Sequence, residues 1–113
     1  MISPESVVQR QLDAYNRHDL AAFVATYADD AELYRAPSTT PALKGKQVLG
    51  DFYRDHRFNL ADLHAELVHR IVLGNKVIDH ERITGLRAEV VDAVAAYVVQ
   101  DGLIRSVWLF AAE

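Results

Sequence analysis

The chain has 113 residues and a formal net charge of −4; half of its residues are hydrophobic, a quarter are charged and none is cysteine. That length suits one domain over residues 1–113, and the balance is that of an ordinary soluble globular protein. Mild acidity argues against a broad nucleic-acid or anionic-membrane surface, and the lack of cysteine excludes a disulfide framework, a thiolate metal site and a cysteine nucleophile.

The opening MISPESVVQRQ lacks the long apolar core of a signal peptide, and no apolar run approaches a membrane span, so a cytoplasmic protein is expected. Ser3-Pro4-Glu5 reads as a helix start, with Val8, Leu12 and Tyr15 forming one apolar face. Asn16 to His18 break that pattern. Asp19 can cap a second helix in which Leu20, Phe23, Val24 and Tyr27 share a face. Ala31 to Ala36 read as a short strand, and Pro37 and Pro41 bracket a polar loop. A third helix runs from about Lys46 to Arg57, with Leu49, Phe52, Tyr53 and His56 along its apolar side.

From there the period becomes alternating. Leu63 to Leu73 and Lys76 to Thr84 make a hairpin around Gly74-Asn75, and Val90 to Val99 and Leu103 to Ala111 make another around Asp101-Gly102. Three helices with one inserted strand, followed by an antiparallel meander, predict an α+β fold with the helices on one face of the sheet.

This order of elements resembles the nuclear-transport-factor-2-like superfamily, which includes SnoaL-like and ketosteroid isomerase-like domains. The resembling segments are Tyr27-Ala-Asp-Asp-Ala31, Phe52-Tyr53-Arg54, His80-Glu81-Arg82 and Asp101-Gly102-Leu103-Ile104. The resemblance implies a cone-shaped roll: three N-terminal helices packed on a curved, mainly antiparallel sheet. It also implies an apolar pocket on the concave face and a homodimer through the convex face.

The turn sorts the residues by face. If Gly74-Asn75 is a two-residue loop, Leu73 pairs with Lys76, Ile71 with Ile78, His69 with His80 and Leu67 with Arg82. Leu63, Ala65, Leu67, His69 and Ile71 are the more apolar set of their strand. Cross-strand partners share a face, so Ile78, His80, Arg82 and Thr84 are expected inside. Asp79 and Glu81 are expected outside, with Asp79 paired to Arg70. A one-residue change in the turn would reverse this sorting. On the last strand, Val107 and Leu109 are expected in the pocket. Trp108 and Phe110 would lie on the convex face beside Ile104, Val94, Ala96 and Val98.

The known chemistries of the superfamily map poorly onto these residues. Ketosteroid isomerases use a carboxylate base with a tyrosine and a protonated aspartate. Their positions fall on Arg35, Gln11 and near Ala95, and only a supporting pocket tyrosine survives, as Tyr53. Epoxide hydrolases of this fold keep a match at Arg82, but their two aspartates fall on Thr84 and Leu109. The acid that SnoaL-like cyclases carry on the last strands has no counterpart in Ile104 to Phe110. What remains is a histidine base, His80, with Arg82 to hold an oxyanion. Tyr15, Arg35, Phe52, Tyr53, His69, Tyr97 and Leu109 would surround the ligand.

Two function classes follow. One is an isomerase, cyclase or lyase acting on a small, apolar, oxygenated molecule. The other is a non-catalytic ligand-binding or dimerisation module on the same scaffold. A histidine on a half-apolar strand is more often structural than catalytic, and the tyrosines are most simply core residues. No cofactor, metal, nucleic acid or membrane partner is expected; the histidine spacings form no ligand set.

Overall fold

The computed structural model describes residues 2–112. Its elements run α1 (Pro4–Arg17), α2 (Leu20–Val24), β1 (Tyr27–Arg35), β2 (Leu43–Lys44), α3 (Lys46–His56), β3 (His64–Leu73), β4 (Lys76–Thr84), β5 (Val91–Gln100) and β6 (Leu103–Ala111). The helices pack on one face of a six-stranded sheet of order β2-β1-β6-β5-β4-β3. Among the described residues only the β1–β6 pair is parallel; the chain passes from β1 to the meander through β2 and α3. The α+β expectation therefore holds.

Local chemistry accounts for the helix ends. The Ser3 hydroxyl accepts from the Ser6 amide and Pro4 opens α1, where its missing N–H costs nothing. The helix stops at His18, which takes a left-handed conformation at φ 57°. Asp19 then accepts from the Ala22 amide and starts α2. The residues that break the helical pattern fasten α1 to the sheet. Asn16 both donates to the Ala65 carbonyl (2.9 Å) and accepts from the Ala65 amide (2.8 Å), pairing edge strand β3 as another strand would. His18 bonds the Leu63 carbonyl at 2.8 Å.

Two boundaries differ from expectation. Helix α2 ends at Val24, so Tyr27 belongs to β1, although its ring still meets Phe23 at 5.3 Å. Strand β1 begins at Tyr27 rather than Ala31, but its register is broken between Tyr27 and Glu32, where Asp29 and Asp30 are exposed. Acidic residues fit poorly in a ladder, so the alternating signal begins only after them. The polar loop also contributes β2, with Leu43 paired to Leu33.

The Gly74-Asn75 turn is as expected: Leu73 pairs with Lys76, Ile71 with Ile78 and His69 with His80. The register then shifts between Leu67 and His69, so that Leu67 pairs with Glu81 and Glu66 with Arg82. Val68 is the extra residue of a β-bulge. A bulge places two residues opposite one and reverses the alternation beyond it. Ala65 and Leu67 therefore face the helices as expected, whereas His69 and Ile71 face away and Arg70 faces in. A second bulge, at Arg105, shifts the register between Val98 and Val99. It turns Ile104 into the core, fully buried, rather than onto the outer face.

The core lies between the helices and the inner face of the sheet. Phe23, fully buried, is ringed by Tyr15, Tyr27, Tyr53 and Phe58 at centroid distances of 4.6–6.2 Å. Burying such a side chain contributes about 1.5–3 kcal/mol. Beyond β4, Gly85 has φ 77°, and a Cβ there would run into the Asp62 carbonyl. Only glycine satisfies both constraints where the chain leaves the sheet.

Candidate functional site

Strand β4 carries the site. Its inner face presents Val77, Asp79, Glu81 and Ile83; Val77 and Asp79 are fully buried and Glu81 is 9% exposed. This corrects the expected sorting. His80 and Arg82 stand on the opposite face, where both meet Asp92, at 2.9 Å and 3.7 Å. His69, across the strand from His80, is exposed there too. The pairing beside the turn matches expectation, and the bulge at Val68 reverses which face those pairs occupy.

The two inner carboxylates are in different situations. Asp79 lies under α1 and takes a two-pronged hydrogen bond from Arg70, Nε to Oδ1 at 2.7 Å and Nη2 to Oδ2 at 3.0 Å. The same guanidinium donates to Gln9 at 2.9 Å and lies 3.8 Å from Glu5. The expected Arg70–Asp79 pair thus exists, but it is buried rather than solvated. The Glu81 carboxyl has no hydrogen bond to any described residue, although its backbone is part of the sheet. Every fully buried polar side-chain atom among the described residues has a partner, so the Glu81 carboxyl must open onto free space. Burial raises its pKa to about 7; the Asp79 charge adds to the rise and Arg70 offsets part of it.

That free space is a cavity of about 370 Å³ between the helices and the sheet, near the lower end of small-molecule sites, roughly 300–1,000 Å³. Helix α1 contributes Gln11, Leu12 and Tyr15. Tyr53 comes from α3, Ala95 and Tyr97 from β5, and Leu109 from β6. Three arginines line it as well: Arg35 at the end of β1, Arg57 at the end of α3 and Arg87 in the loop after β4.

Burial raises the Tyr15, Tyr27, Tyr53 and Tyr97 hydroxyls above their ordinary pKa, so all four stay protonated. The Tyr97 hydroxyl donates to Gln11 at 3.4 Å, and the Gln11 amide donates to Tyr27 at 3.4 Å. Tyr15 and Tyr53 bond no other described side chain and remain free donors. The arrangement offers one carboxyl able to exchange a proton near neutral pH and hydroxyls able to hold an oxygen.

Of the residues singled out from the sequence, the fold gathers Tyr15, Arg35, Tyr53, Tyr97 and Leu109 around the cavity. Phe52 stands behind them, 5.6 Å from the Tyr53 ring. His69, His80 and Arg82 lie outside. Sequence reasoning missed Glu81, Gln11, Arg57 and Arg87. One signal for Glu81 lies in β5: its inward residues Ala95 and Tyr97 pair with Asp79 and Val77, so the β5 pairing brings the odd-numbered residues of β4 inside.

Comparison with known proteins agrees with this architecture. The family model for the SnoaL-like domain matches residues 8–107. No curated protein matches the chain. Among solved structures, an uncharacterised cystatin-fold protein from Novosphingobium aromaticivorans superposes with a TM-score of 0.88 at 21% identity, covering 96% of this chain and 98% of its own. A proposed ketosteroid isomerase from Kribbella flavida gives 0.85 at 19% identity, covering 97% and 78%. A proposed polyketide cyclase from Sinorhizobium meliloti gives 0.78 at 20% identity, covering 91% and 92%. At these identities the likeness speaks for the fold alone. With the family model matched over most of its length, the chain belongs to the SnoaL-like domain family.

Proposed function

We propose that the protein is a proton-transfer enzyme that acts beside a carbonyl group of a small, largely apolar molecule, with Glu81 as the base. The observation that carries this reading is a buried carboxyl without a protein partner, opening onto a cavity and poised near neutrality. A general base works best when its pKa lies near the operating pH. The ionised Glu81 takes a proton from the carbon next to the carbonyl. The enolate oxygen that develops is held by the free Tyr15 or Tyr53 hydroxyl. Returning the proton elsewhere gives an isomerisation, expelling a β-substituent gives a lyase reaction, and attack on a second carbonyl gives a cyclisation. Isomerase- and cyclase-named relatives share the fold, which is consistent with this range.

The test is proton exchange. Small ketones such as cyclohexanone and 4-phenyl-2-butanone are incubated with the protein in D2O and followed by NMR. Protein-dependent loss of the α-proton signals is expected, increasing as pH rises through about 7 and abolished by Glu81→Gln. Equal exchange by the two proteins would refute the role of Glu81. Binding without exchange would favour the non-catalytic module.

We also infer a homodimer through the outer face of the sheet. There Trp108 stacks on Tyr34 at 3.9 Å, and Val94, Ala96, Val98 and Ile78 sit half-buried beside them. Phe110 and Ile71 are 46% and 51% exposed on the same face. An apolar surface of this kind favours association. Sedimentation should give twice the chain mass, and Trp108→Glu should return it to the monomer.

A further inference from the structure

The mouth of the cavity has an uncompensated positive charge. Arg35, Arg57 and Arg87 reach it from three separate elements, and none forms an ion pair with another described residue. Two of them share one ring: the Arg57 and Arg35 guanidinium carbons stand 5.0 Å and 5.7 Å from the centre of Phe52. Arg57 also donates to the His56 carbonyl at 2.7 Å. Like charges gathered around one aromatic ring repel each other, and an acid beside them would normally offset that. Elsewhere the molecule supplies such partners: Arg70 has Asp79, Arg105 has Asp30, Arg54 has Asp55 and Arg82 has Asp92.

Glu81 is the only acid among the described residues lining the cavity, and it does not fill this role. The charges acting on it are those of Asp79 and Arg70, neither of which lines the cavity. Tyr53 feels the Arg57 and Arg35 charges on one side and Glu81 on the other. The cavity lining thus carries one carboxyl and, apart from it, guanidinium groups, two of them gathered over Phe52, with no ion pair between the two kinds of group among the described residues.

We propose that the arginine-lined mouth is a subsite for an oxyanionic head group, a carboxylate or a phosphate monoester, carried by the apolar molecule whose other end meets Glu81. This deepens the proton-transfer reading and rests on it for the orientation of the substrate. Guanidinium groups present paired donors that match both oxyanions. The ligand supplies the negative charge that the protein withholds, and the apolar lining between the arginines and Glu81 holds the apolar body. The substrate class is an amphipathic acid whose carbonyl lies inward, away from its charged end.

The test compares three probes with similar apolar bodies: 4-phenylbutanoate, 3-phenylpropyl phosphate and the neutral 4-phenylbutanamide. Titration calorimetry at pH 7 and low salt should show at least one anion binding about tenfold or more tighter than the amide. Carboxylate and phosphate sources are told apart by which anion gains more. The advantage should shrink with added salt. The exposed pair Arg35→Gln and Arg87→Gln, combined in one variant, and Arg57→Gln separately should each cut it several-fold by weakening the anions more than the amide. The salt dependence of the unaltered protein serves if a variant does not fold. Glu81→Gln should keep the preference, so a failed proton-exchange experiment leaves this result intact. Equal binding of amide and anions, or no measurable binding of either anion, would overturn the proposal.

Discussion

Asp79 and Glu81 are separated by a single residue on one strand and face the same way, yet their surroundings divide the interior into two regions. Around Asp79 the interior is closed: α1 covers it, and Arg70 compensates its charge with two hydrogen bonds. Around Glu81 it is open: the carboxyl meets a cavity, tyrosines and no cation within bonding distance. A buried ion pair and a buried lone carboxyl both carry a desolvation cost, but only the pair offsets it by direct attraction. The lone carboxyl offsets it by keeping its proton. The first arrangement is a structural device. The second leaves a group whose protonation changes in the range where an enzyme works.

Breaking the closed region should have the largest effect. Arg70→Ala leaves Asp79 buried and uncompensated, and the loss of stability in urea denaturation should be roughly 3–5 kcal/mol. It also removes the cation that offsets the rise at Glu81, so Glu81 should titrate higher still. An Arg70→Ala protein as stable as the original would show that the pair contributes little.

The open region should reveal itself through pH. Its folded-state pKa is raised, so the folded protein holds this proton more tightly than the unfolded chain does. The associated stability is fully present below about pH 4.5, the unfolded value, and is lost as pH rises to about 7. Glu81→Gln cannot titrate. The stability of the original protein relative to this variant should therefore fall across that window, by at most about 3 kcal/mol. A difference independent of pH would mean that the carboxyl is not desolvated.

The smallest effect is expected on the other face of the same strand. His80, Arg82 and Asp92 form an ion-pair group whose side chains are 38%, 51% and 47% exposed. His80→Ala should change stability by no more than about 0.5 kcal/mol. It should leave the Glu81 titration and any proton exchange unaltered. Loss of exchange in this variant would return the chemistry to the outer face.

The contrast also explains what the sequence conveyed. Helix starts, hairpin turns and element order depend on local chemistry: the Ser3 and Asp19 caps, the Gly74-Asn75 turn, the change of period after the third helix. All of these were legible. So were the tyrosines of the cavity, because Tyr15 and Tyr53 lie on helical stripes whose inward face is unambiguous. The fate of β4 was not local. It depended on Val68, an ordinary strand residue with nothing in its side chain to announce a bulge. Glycine, which marks some bulges, is absent from that strand. One extra residue there moved His80 and Arg82 out and brought Asp79 and Glu81 in. The bulge at Arg105 did the same to Ile104. Asp79 and Glu81 are placed outside by the turn pairing alone; the structure buries them, one with a partner and one with a raised pKa that makes burial tolerable.

The central claim is that Glu81 is a proton-exchanging carboxyl inside the cavity. The direct measurement is a 13C NMR titration of the glutamate side-chain carboxyls, with the Glu81 resonance assigned by its absence from Glu81→Gln. A midpoint close to 7 is predicted. A midpoint near 4.5, the ordinary glutamate value, would contradict the account.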